Sequence, residues 1–186
     1  MPEFRKKEIR RKWRSLFPYT ADQKEQLSRE ICRHLMADPR LKAAKQVGLF
    51  APLAWEPNVM PLLSLGKALF PKADAHTIGL TFHRVKSPAE LTPGFAGILE
   101  PAPSAPRAEP WSPTDVILIP GYAFDIFGAR IGSGKGFYDR FLPCFPGIRL
   151  AVAFEAQISQ LPLAQESFDA RMAGLCTETG IRYVMP

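Results

Sequence analysis

The segment 115-DVILIPGYAFDIFGARIGSGKGFYD-139 decides the fold of this 186-residue chain and points to its function. The run Val116–Ile119 predicts a short buried strand, which ends at Pro120 and Gly121. A loop follows and contains three alternate glycines, which are Gly132, Gly134 and Gly136. Glycine has no Cβ to keep an anion away from backbone N–H groups, so this glycine loop (residues 130–136) can wrap phosphates.

Charged side chains accompany the glycine loop. Arg130 and Lys135 supply positive charge for phosphate groups, and we predict that these two residues stabilise charge during catalysis. A helix is expected to begin at Phe137 and to add the partial positive charge of its N-terminus. Asp139 could hold a divalent cation against the same phosphates. For Asp125 we predict a structural role in supporting the loop.

Two common phosphate-binding motifs do not fit this loop. A P-loop would begin with glycine and end with a hydroxyl residue, but residues 129–136 begin with Ala129 and end with Gly136. The dinucleotide-binding fingerprint fails because the third glycine comes one residue early. A purely structural turn between strand and helix is the alternative. Three glycines, two cations and two carboxylates within one connection favour a ligand site.

The longer stretch from Pro120 to Leu142 carries a resemblance to a known family. It reads PGYAFD-xx-GARIG-x-GKGFYDRFL, which is similar to the motif of the 5-formyltetrahydrofolate cyclo-ligases, also called methenyltetrahydrofolate synthetases. Weaker agreement extends over nearly the whole chain, from the basic N-terminal segment through Glu56 and Glu100 to Gln157 and Asp169. The departures from the usual family residues are Ala96, Ser133, Phe137 and Ala173.

The resemblance implies an ATP-dependent and Mg²⁺-dependent enzyme that converts 5-formyltetrahydrofolate to 5,10-methenyltetrahydrofolate and releases ADP and phosphate. In the implied mechanism, the formyl oxygen attacks the γ-phosphate of ATP to give an imidate phosphate, and N10 then closes the ring without a general base. The implied nucleotide contacts are Lys6, Arg10, Gly132, Ser133, Gly134, Lys135, Gly136 and Phe137. Glu56 and Tyr138 are implied to bind the folate, and Asp139 and Asp169 are implied to bind Mg²⁺.

The net charge of +6 is concentrated in the first helix, whose basic residues are Arg5, Lys6, Lys7, Arg10, Arg11, Lys12 and Arg14. Ile9, Trp13 and Leu16 or Phe17 fall at helical spacing and predict an apolar face that docks on the domain. Lys6 and Arg10 lie four residues apart and can reach one anion together. A solvated basic surface is the alternative for this helix, and a nucleic-acid binder is the rival function that it suggests.

Composition sets the remaining expectations. A chain of 186 residues with 46% hydrophobic content predicts one domain over residues 1–186. The three cysteines lack metal-binding or disulfide spacing, and no apolar run approaches the roughly 20 residues that span a bilayer. We therefore expect a cytoplasmic monomer without a nucleic-acid or membrane partner. A relative that binds ATP or folate without cyclising it is the second rival function.

Helices and strands are predicted to alternate along the chain. A helix should begin at the capping box of Thr20 and stop near Asp38, and a second should run from Asn58 through Leu69. The predicted strands are residues 47–50, 70–71, 78–85, 116–119, 150–154 and 181–184. This order predicts an α/β fold, a single-domain three-layer sandwich with a largely parallel sheet flanked by helices.

Several polar residues follow predicted strands directly. Glu56 follows the strand at 47–50, the glycine loop follows the strand at 116–119, and Glu155 and Gln157 follow the strand at 150–154. Because the carboxyl ends of parallel strands meet at one edge of a sheet, we expect these residues to share one crevice.

Overall fold

The computed structural model describes residues 2–15, 18–166 and 169–184, and within the first helix it describes the side chains of residues 6–12. The helices are α1 (Pro2–Ser15), α2 (Ala21–Ala37), α3 (Pro39–Ala43) and α4 (Phe137–Phe141). The first six strands are β1 (Val47–Gly48), β2 (Ala68–Asp74), β3 (Gly79–Arg84), β4 (Leu91–Pro93), β5 (Leu99–Pro101) and β6 (Val116–Ile119). The others are β7 (Ala123–Asp125), β8 (Arg130–Ile131), β9 (Ile148–Val152), β10 (Ile158–Ser159), β11 (Gly174–Thr177) and β12 (Gly180–Tyr183).

A seven-stranded sheet in the order β12-β11-β9-β6-β1-β2-β3 forms the centre of the protein. Its five inner strands pair in parallel, whereas β3 and β12 pair antiparallel at the two edges. All four residues of β6 are buried, as expected for an inner parallel strand covered on both faces. Two smaller sheets, β10-β7-β8 and β4-β5, lie outside this central sheet.

Helical segments cover both faces of the central sheet. On one face, Ile31 and Leu35 of α2 and Leu41 of α3 join the larger buried cluster. On the other face, Leu142 and Phe145, which follow α4, pack with buried residues of β6 and β9. The predicted fold class, a three-layer α/β sandwich with a largely parallel sheet, is therefore confirmed.

The capping box at the start of α2 is confirmed in atomic detail. The Thr20 hydroxyl accepts the Gln23 N–H at 3.2 Å, and the Gln23 side chain accepts the Thr20 N–H at 2.9 Å. At the other end, Asp38 follows the helix and begins α3, where its carboxylate accepts the N–H groups of Arg40 and Leu41. The helix therefore ends where the sequence predicted.

The helix predicted from Asn58 through Leu69 is wrong. Residues Met60–Leu65 form a 3₁₀ helix instead, and the Asn58 side chain accepts the N–H of Met60 from just before it. Gly66 then adopts a left-handed φ of 70°, and β2 begins at Ala68. A glycine in this conformation ends a helix because it reverses the chain without steric cost. Leu69 is therefore a strand residue.

The first helix packs next to the glycine loop. Its residue Ile9 contacts the small buried cluster of Tyr122, Ala123 and Ile131. The other apolar positions assigned to its docking face, Trp13, Leu16 and Phe17, lie outside the described side chains. Within the described ranges, no helix is both long enough and apolar enough to cross a membrane.

The Asp115 carboxylate holds together the starts of two neighbouring parallel strands. It accepts the backbone N–H groups of Lys45 and Gln46 just before β1, and the N–H of Ser112 just before β6. The side chain is buried, with 1% exposure. Asp115 therefore fixes the relative position of β1 and β6, whose carboxyl ends lead into the Glu56 segment and the glycine loop.

Replacing Asp115 by Ala should lower the free energy of unfolding by about 3 kcal/mol, because three backbone N–H groups lose a charged acceptor. Urea unfolding of the wild type and the variant measures this loss. Glu109→Ala is the control, since Glu109 is exposed on the nearby surface. Equal stabilities of the two variants would contradict the role given to Asp115.

Candidate active site

A cavity opens at the carboxyl edge of the central sheet, beside β1, β2 and β6. Its apolar wall consists of Phe50, Ala51, Leu53, Pro71, Ala73, Leu80, Phe95, Ile98, Pro120 and Tyr122. The remaining wall consists of Glu56, Glu100, Gly121, Arg130, Gly132, Ser133, Gly134, Gly136, Phe137, Tyr138 and Asp139. The structure thus brings most of the predicted site residues to one cavity with an apolar side and a charged side.

Glu56 is a buried carboxyl group in the wall of this cavity. Its exposure is 7%, and its Oε2 accepts the N–H of Leu53 at 2.8 Å. Burial raises the pKa of Glu56 from 4.5 to about 7, although the Leu53 N–H and the positive charge of Lys24 oppose the shift. Glu56 can therefore present either a neutral or an ionised carboxyl group to a ligand near neutral pH.

Tyr138 lies between Glu56 and Arg130. Its phenol oxygen is buried and has no hydrogen-bond partner among the described residues. Burial raises the pKa of Tyr138; the nearby Arg130 lowers it, whereas Glu56 raises it further. Because buried polar groups are almost always hydrogen-bonded, this hydroxyl has hydrogen-bonding capacity left for a polar ligand atom.

Arg130 and Asp139 form a close ion pair across the glycine loop. Arg130 Nη2 donates to Asp139 Oδ1 at 2.6 Å, and the Arg130 side chain is 7% exposed. The guanidinium group also lies against Gly132, where an added Cβ would come within 2.4 Å of Nη1. A Cβ on Gly132 would therefore displace the end of the flexible Arg130 side chain.

Arg10 reaches the same loop from α1. Its Nε donates to the carbonyl oxygen of Gly132 at 2.8 Å. Its guanidinium carbon lies 3.0 Å from the place of a Cβ on Gly134, which has a left-handed φ of 85°. The alternate glycines therefore accommodate two guanidinium groups, and this arrangement concentrates positive charge at the loop.

Lys6 contacts two carboxylates, whereas Arg10 contacts the glycine loop. Lys6 Nζ donates to Asp169 Oδ2 at 2.8 Å and to Glu166 Oε2 at 3.1 Å. Burial would lower the pKa of Lys6, but the hydrogen bonds and charges of Asp169 and Glu166 outweigh it and raise the pKa. Lys6, Arg10 and Asp169 do not belong to the cavity wall described above.

Two further predictions for the glycine loop concern Lys135 and α4. The Lys135 side chain is exposed and is not part of the cavity wall. The helix predicted at Phe137 exists, but α4 has five residues and continues into a short 3₁₀ helix. A helix of this length adds little to the positive potential at the glycine loop. Arg10 and Arg130 therefore supply most of the positive charge there.

The two predicted metal ligands, Asp139 and Asp169, are carboxylates, which are the ligand type that Mg²⁺ prefers. Asp139 accepts a hydrogen bond from Arg130 through Oδ1, and Asp169 accepts hydrogen bonds from Lys6 and the Glu166 N–H through Oδ2. In the part of the chain that the structure describes, no group of three or more typical metal ligands occurs. Mg²⁺ commonly binds through one or two carboxylates plus substrate phosphates, so these residues fit such a site.

Asp125 has the structural role that the sequence predicted. Its Oδ1 accepts the N–H groups of Phe127 and Ala129, and its Oδ2 accepts the N–H of Leu163. This carboxylate is buried, with 1% exposure. It therefore fixes the turn that leads into the glycine loop.

The expectation that Glu155 and Gln157 share the crevice is wrong. Glu155 binds Thr177, Thr179 and Arg182 near the edge of the sheet. Gln157 is buried, and its amide donates to the backbone carbonyls of Gly121 and Tyr122. Both residues follow β9 as predicted, but their side chains form hydrogen bonds with nearby protein groups outside the cavity wall.

Glu100 is a cavity residue to which the sequence analysis gave no role. It is 6% exposed, and its Oε1 accepts the N–H groups of Phe95 and Ala73. Lys72 Nζ lies 3.7 Å from its other oxygen. The signal for it was a glutamate within the apolar run of residues 98–101, because a carboxylate in a buried strand needs partners.

With this geometry in hand, the relatives of the chain can be identified. The sequence profile of the 5-formyltetrahydrofolate cyclo-ligase family matches residues 3–178. This chain belongs to that family. Membership identifies it as an enzyme, a ligase of folate metabolism.

Individual relatives agree with the membership. The 5-formyltetrahydrofolate cyclo-ligase of Escherichia coli is 29% identical over 143 residues, which cover 72% of this chain and 75% of that protein. The one from Mycolicibacterium smegmatis is 39% identical over 108 residues, or 54% and 56% of the two chains. An NMR structure of Aquifex aeolicus 5,10-methenyltetrahydrofolate synthetase superimposes with a TM-score of 0.82 at 32% identity, covering 97% of this chain and 93% of that one.

Replacing Glu56 by Gln should remove a pH dependence of stability. Folded Glu56 binds its proton more tightly than an unfolded carboxyl group, so its stabilising effect is full below pH 4.5 and is lost as the pH rises through about 7. Gln is neutral at every pH and keeps an acceptor oxygen. As the pH rises over this range, the free energy of unfolding of the variant should therefore increase relative to that of the wild type. The gain is at most roughly 3 kcal/mol, at about 1.36 kcal/mol per pKa unit.

Urea unfolding at about pH 5 and about pH 8 measures this difference for wild type and variant. Glu109→Gln is the matched control, because it removes an exposed carboxyl group. A Glu56→Gln protein whose stability varies with pH as in the wild type would show that burial does not shift this group.

Proposed function

We propose that the protein converts 5-formyltetrahydrofolate to 5,10-methenyltetrahydrofolate with consumption of ATP, through a phosphorylated formyl intermediate. The observation that carries the proposal is that the arginine-bearing glycine loop, an apolar wall and Glu56 line one cavity. Phosphate groups suit the loop, and a flat ring system with polar edges suits the wall. Family membership supports this substrate and product.

The charged side of the cavity is assigned to the nucleotide. Gly132, Ser133, Gly134, Gly136 and Phe137 form its surface, and all line the cavity. Arg130 and Arg10 lie against this surface, and each contacts a glycine. Lys135 is exposed next to them and is free to swing toward a phosphate. Lys6 is also assigned to the nucleotide side. It donates a hydrogen bond to Asp169, one of the proposed Mg²⁺ ligands.

The other side of the cavity is assigned to the folate. Glu56 offers a carboxyl group for the hydrogen-bond donors of a pterin ring, and Tyr138 offers a hydroxyl without a protein partner. The burial of both groups strengthens these hydrogen bonds, because water competes poorly inside the cavity. The apolar wall covers the faces of the bound rings.

Asp139 and Asp169 are the residues that would hold Mg²⁺. The ion would neutralise part of the triphosphate charge when bound. Asp139 lines the cavity and is already placed by Arg130, whereas Asp169 is placed by Lys6 and by the N–H of Glu166. Each carboxylate therefore has a fixed position, which is what a phosphate-bridging metal requires.

The proposed reaction needs activation of a poor leaving group rather than a general base. The formyl oxygen on N5 attacks the γ-phosphate, the bond to ADP breaks, and an imidate phosphate forms. N10 then attacks the formyl carbon, the carbon–oxygen bond breaks, and the departing phosphate takes the proton that N10 loses. Arg130 and Lys135 are proposed to stabilise the charge of the transferring phosphoryl group, which is the main protein contribution in this class of reaction.

The remaining parts of the proposal concern the state of the protein. We place it in the cytoplasm as a monomeric single domain over residues 1–186, without nucleic-acid or membrane partners. Free thiols at Cys32, Cys144 and Cys176 suit a reducing compartment. Against a nucleic-acid function, Lys6 and Arg10 of the basic helix contact Asp169 and Gly132 within the protein.

Purified protein should form 5,10-methenyltetrahydrofolate from 5-formyltetrahydrofolate when ATP and Mg²⁺ are both present. The product has its own absorption band, so continuous spectrophotometry records the rate. Leaving out either ATP or Mg²⁺ is the control and should stop product formation. Folded protein that binds both ligands without forming product would indicate the non-cyclising relative, and strongly salt-dependent RNA binding would favour the nucleic-acid reading.

Arg10→Ala should weaken the use of ATP by about 1 to 3 kcal/mol, because it removes a charged group that lies against the glycine loop. The KM for ATP should rise more than the KM for the folate. Lys7→Ala is the matched control, since Lys7 is an exposed cation of the same helix. If both variants lose ATP affinity equally, α1 acts through bulk charge and the assignment of Arg10 fails.

A further inference from the structure

A tight turn contributes Phe95 to the cavity wall and brings it to Phe137, next to the glycine loop. This turn (residues 94–97) connects β4 and β5, and Ala96 adopts a left-handed φ of 55° within it. A residue with a Cβ keeps this conformation only where its surroundings hold it in place. The position of the turn is therefore enforced by its contacts.

Glu100 supplies those contacts. Its carboxylate accepts the N–H of Phe95 at 3.2 Å and the N–H of Ala73 in β2 at 3.3 Å. Gly94 lies directly against this carboxylate, where an added Cβ would come within 2.4 Å. Glu100 thus ties the turn to the central sheet and fixes the backbone of Phe95.

Phe95 is held so that its ring meets the ring of Phe137. The two centroids are 5.2 Å apart with an interplanar angle of 72°, which is a favourable edge-to-face arrangement. Phe137 directly follows Gly136 and is the first residue of α4, whose first turn is closed by the Arg140 N–H and the Gly136 carbonyl. The ring pair therefore joins the apolar wall to the last residue of the glycine loop.

We infer that the Phe95–Phe137 contact couples the binding of the folate to the binding of the nucleotide. The inference rests on the proposed function, which places the two ligands on opposite sides of this ring pair. A nucleotide that packs against Phe137 restricts the Phe137 ring, and this ring in turn restricts the Phe95 ring in the wall. The folate then meets a wall that is already ordered, so less conformational entropy is lost when it binds.

Coupling of this kind is reciprocal, so the nucleotide must gain as much affinity from the folate as the folate gains from the nucleotide. An edge-to-face ring pair sets the scale of the effect at about 2- to 10-fold in each dissociation constant. Glu100 is a positioning residue in this scheme, because it acts through Phe95.

The test is a double-mutant cycle with Phe95→Leu, Phe137→Leu and the double variant. For each protein, calorimetry gives the Kd of 5-formyltetrahydrofolate with and without a non-hydrolysable ATP analogue and Mg²⁺. The ratio of the two Kd values is the coupling factor. Each single variant should lower this factor by about 2- to 10-fold, and the double variant should lower it no further.

Two further variants make the result specific. Phe95→Tyr keeps a ring at this position and should retain the wild-type coupling factor. Phe127→Leu is the matched control, since Phe127 is 44% exposed and is not part of the cavity wall. An unchanged coupling factor in Phe95→Leu, or losses that add in the double variant, overturns the inference.

The experiment also separates this inference from the proposed function. Wild-type protein that neither binds nor converts 5-formyltetrahydrofolate overturns both. Wild-type protein that converts the substrate but has a coupling factor of one overturns the inference alone. Thermal unfolding of each variant establishes that the protein measured is folded.

Discussion

The ion pair between Arg130 and Asp139 is the interaction on which the site depends. It joins Arg130, the first residue of the glycine loop, to Asp139 in α4 at a distance of 2.6 Å, and so closes residues 130–139 into a ring. A loop rich in glycine has many conformations in the unfolded chain, and this link removes much of that freedom. The Arg130 guanidinium group lies against Gly132, and Asp139 lines the cavity. This one contact thus sets both the conformation of the loop and the position of two charged groups in the site.

The cations near this loop already have acceptors within the protein. Arg10 donates to the Gly132 carbonyl, Arg130 to Asp139, and the buried Lys6 to Asp169 and Glu166. Removing one partner of a buried pair leaves an uncompensated charge and typically costs about 3 to 5 kcal/mol. Such pairs therefore hold their side chains in fixed places. Fixed charges stabilise a reacting phosphoryl group well because little reorganisation is needed when the charge develops.

The fold class and six of the twelve described strands could be predicted from the sequence, because local patterns specify them. The apolar run of β6, the capping box at Thr20 and the glycine loop were recognisable from neighbouring residues alone. The helix predicted to Leu69 failed because Gly66 reverses the chain there, and an asparagine cap gives no sign of that. The contacts of Lys6 with Asp169 and of Glu100 with Phe95 depend on how separate segments meet in space. Family resemblance supplied candidate residues for the site, but only coordinates show that Lys6 contacts carboxylates and that Glu155 turns away from the cavity.

The first helix makes its polar contacts with segments that come much later in the chain. Arg10 and Gly132 are 122 residues apart, and Lys6 and Asp169 are 163 residues apart. During synthesis on the ribosome, α1 emerges long before these partners exist. The central strands can begin to pair while α1 still has none of these contacts. Assembly of the charged side of the cavity is therefore a late event in folding, and a nascent chain without residues 130–169 has the first helix but no place to dock its two cations.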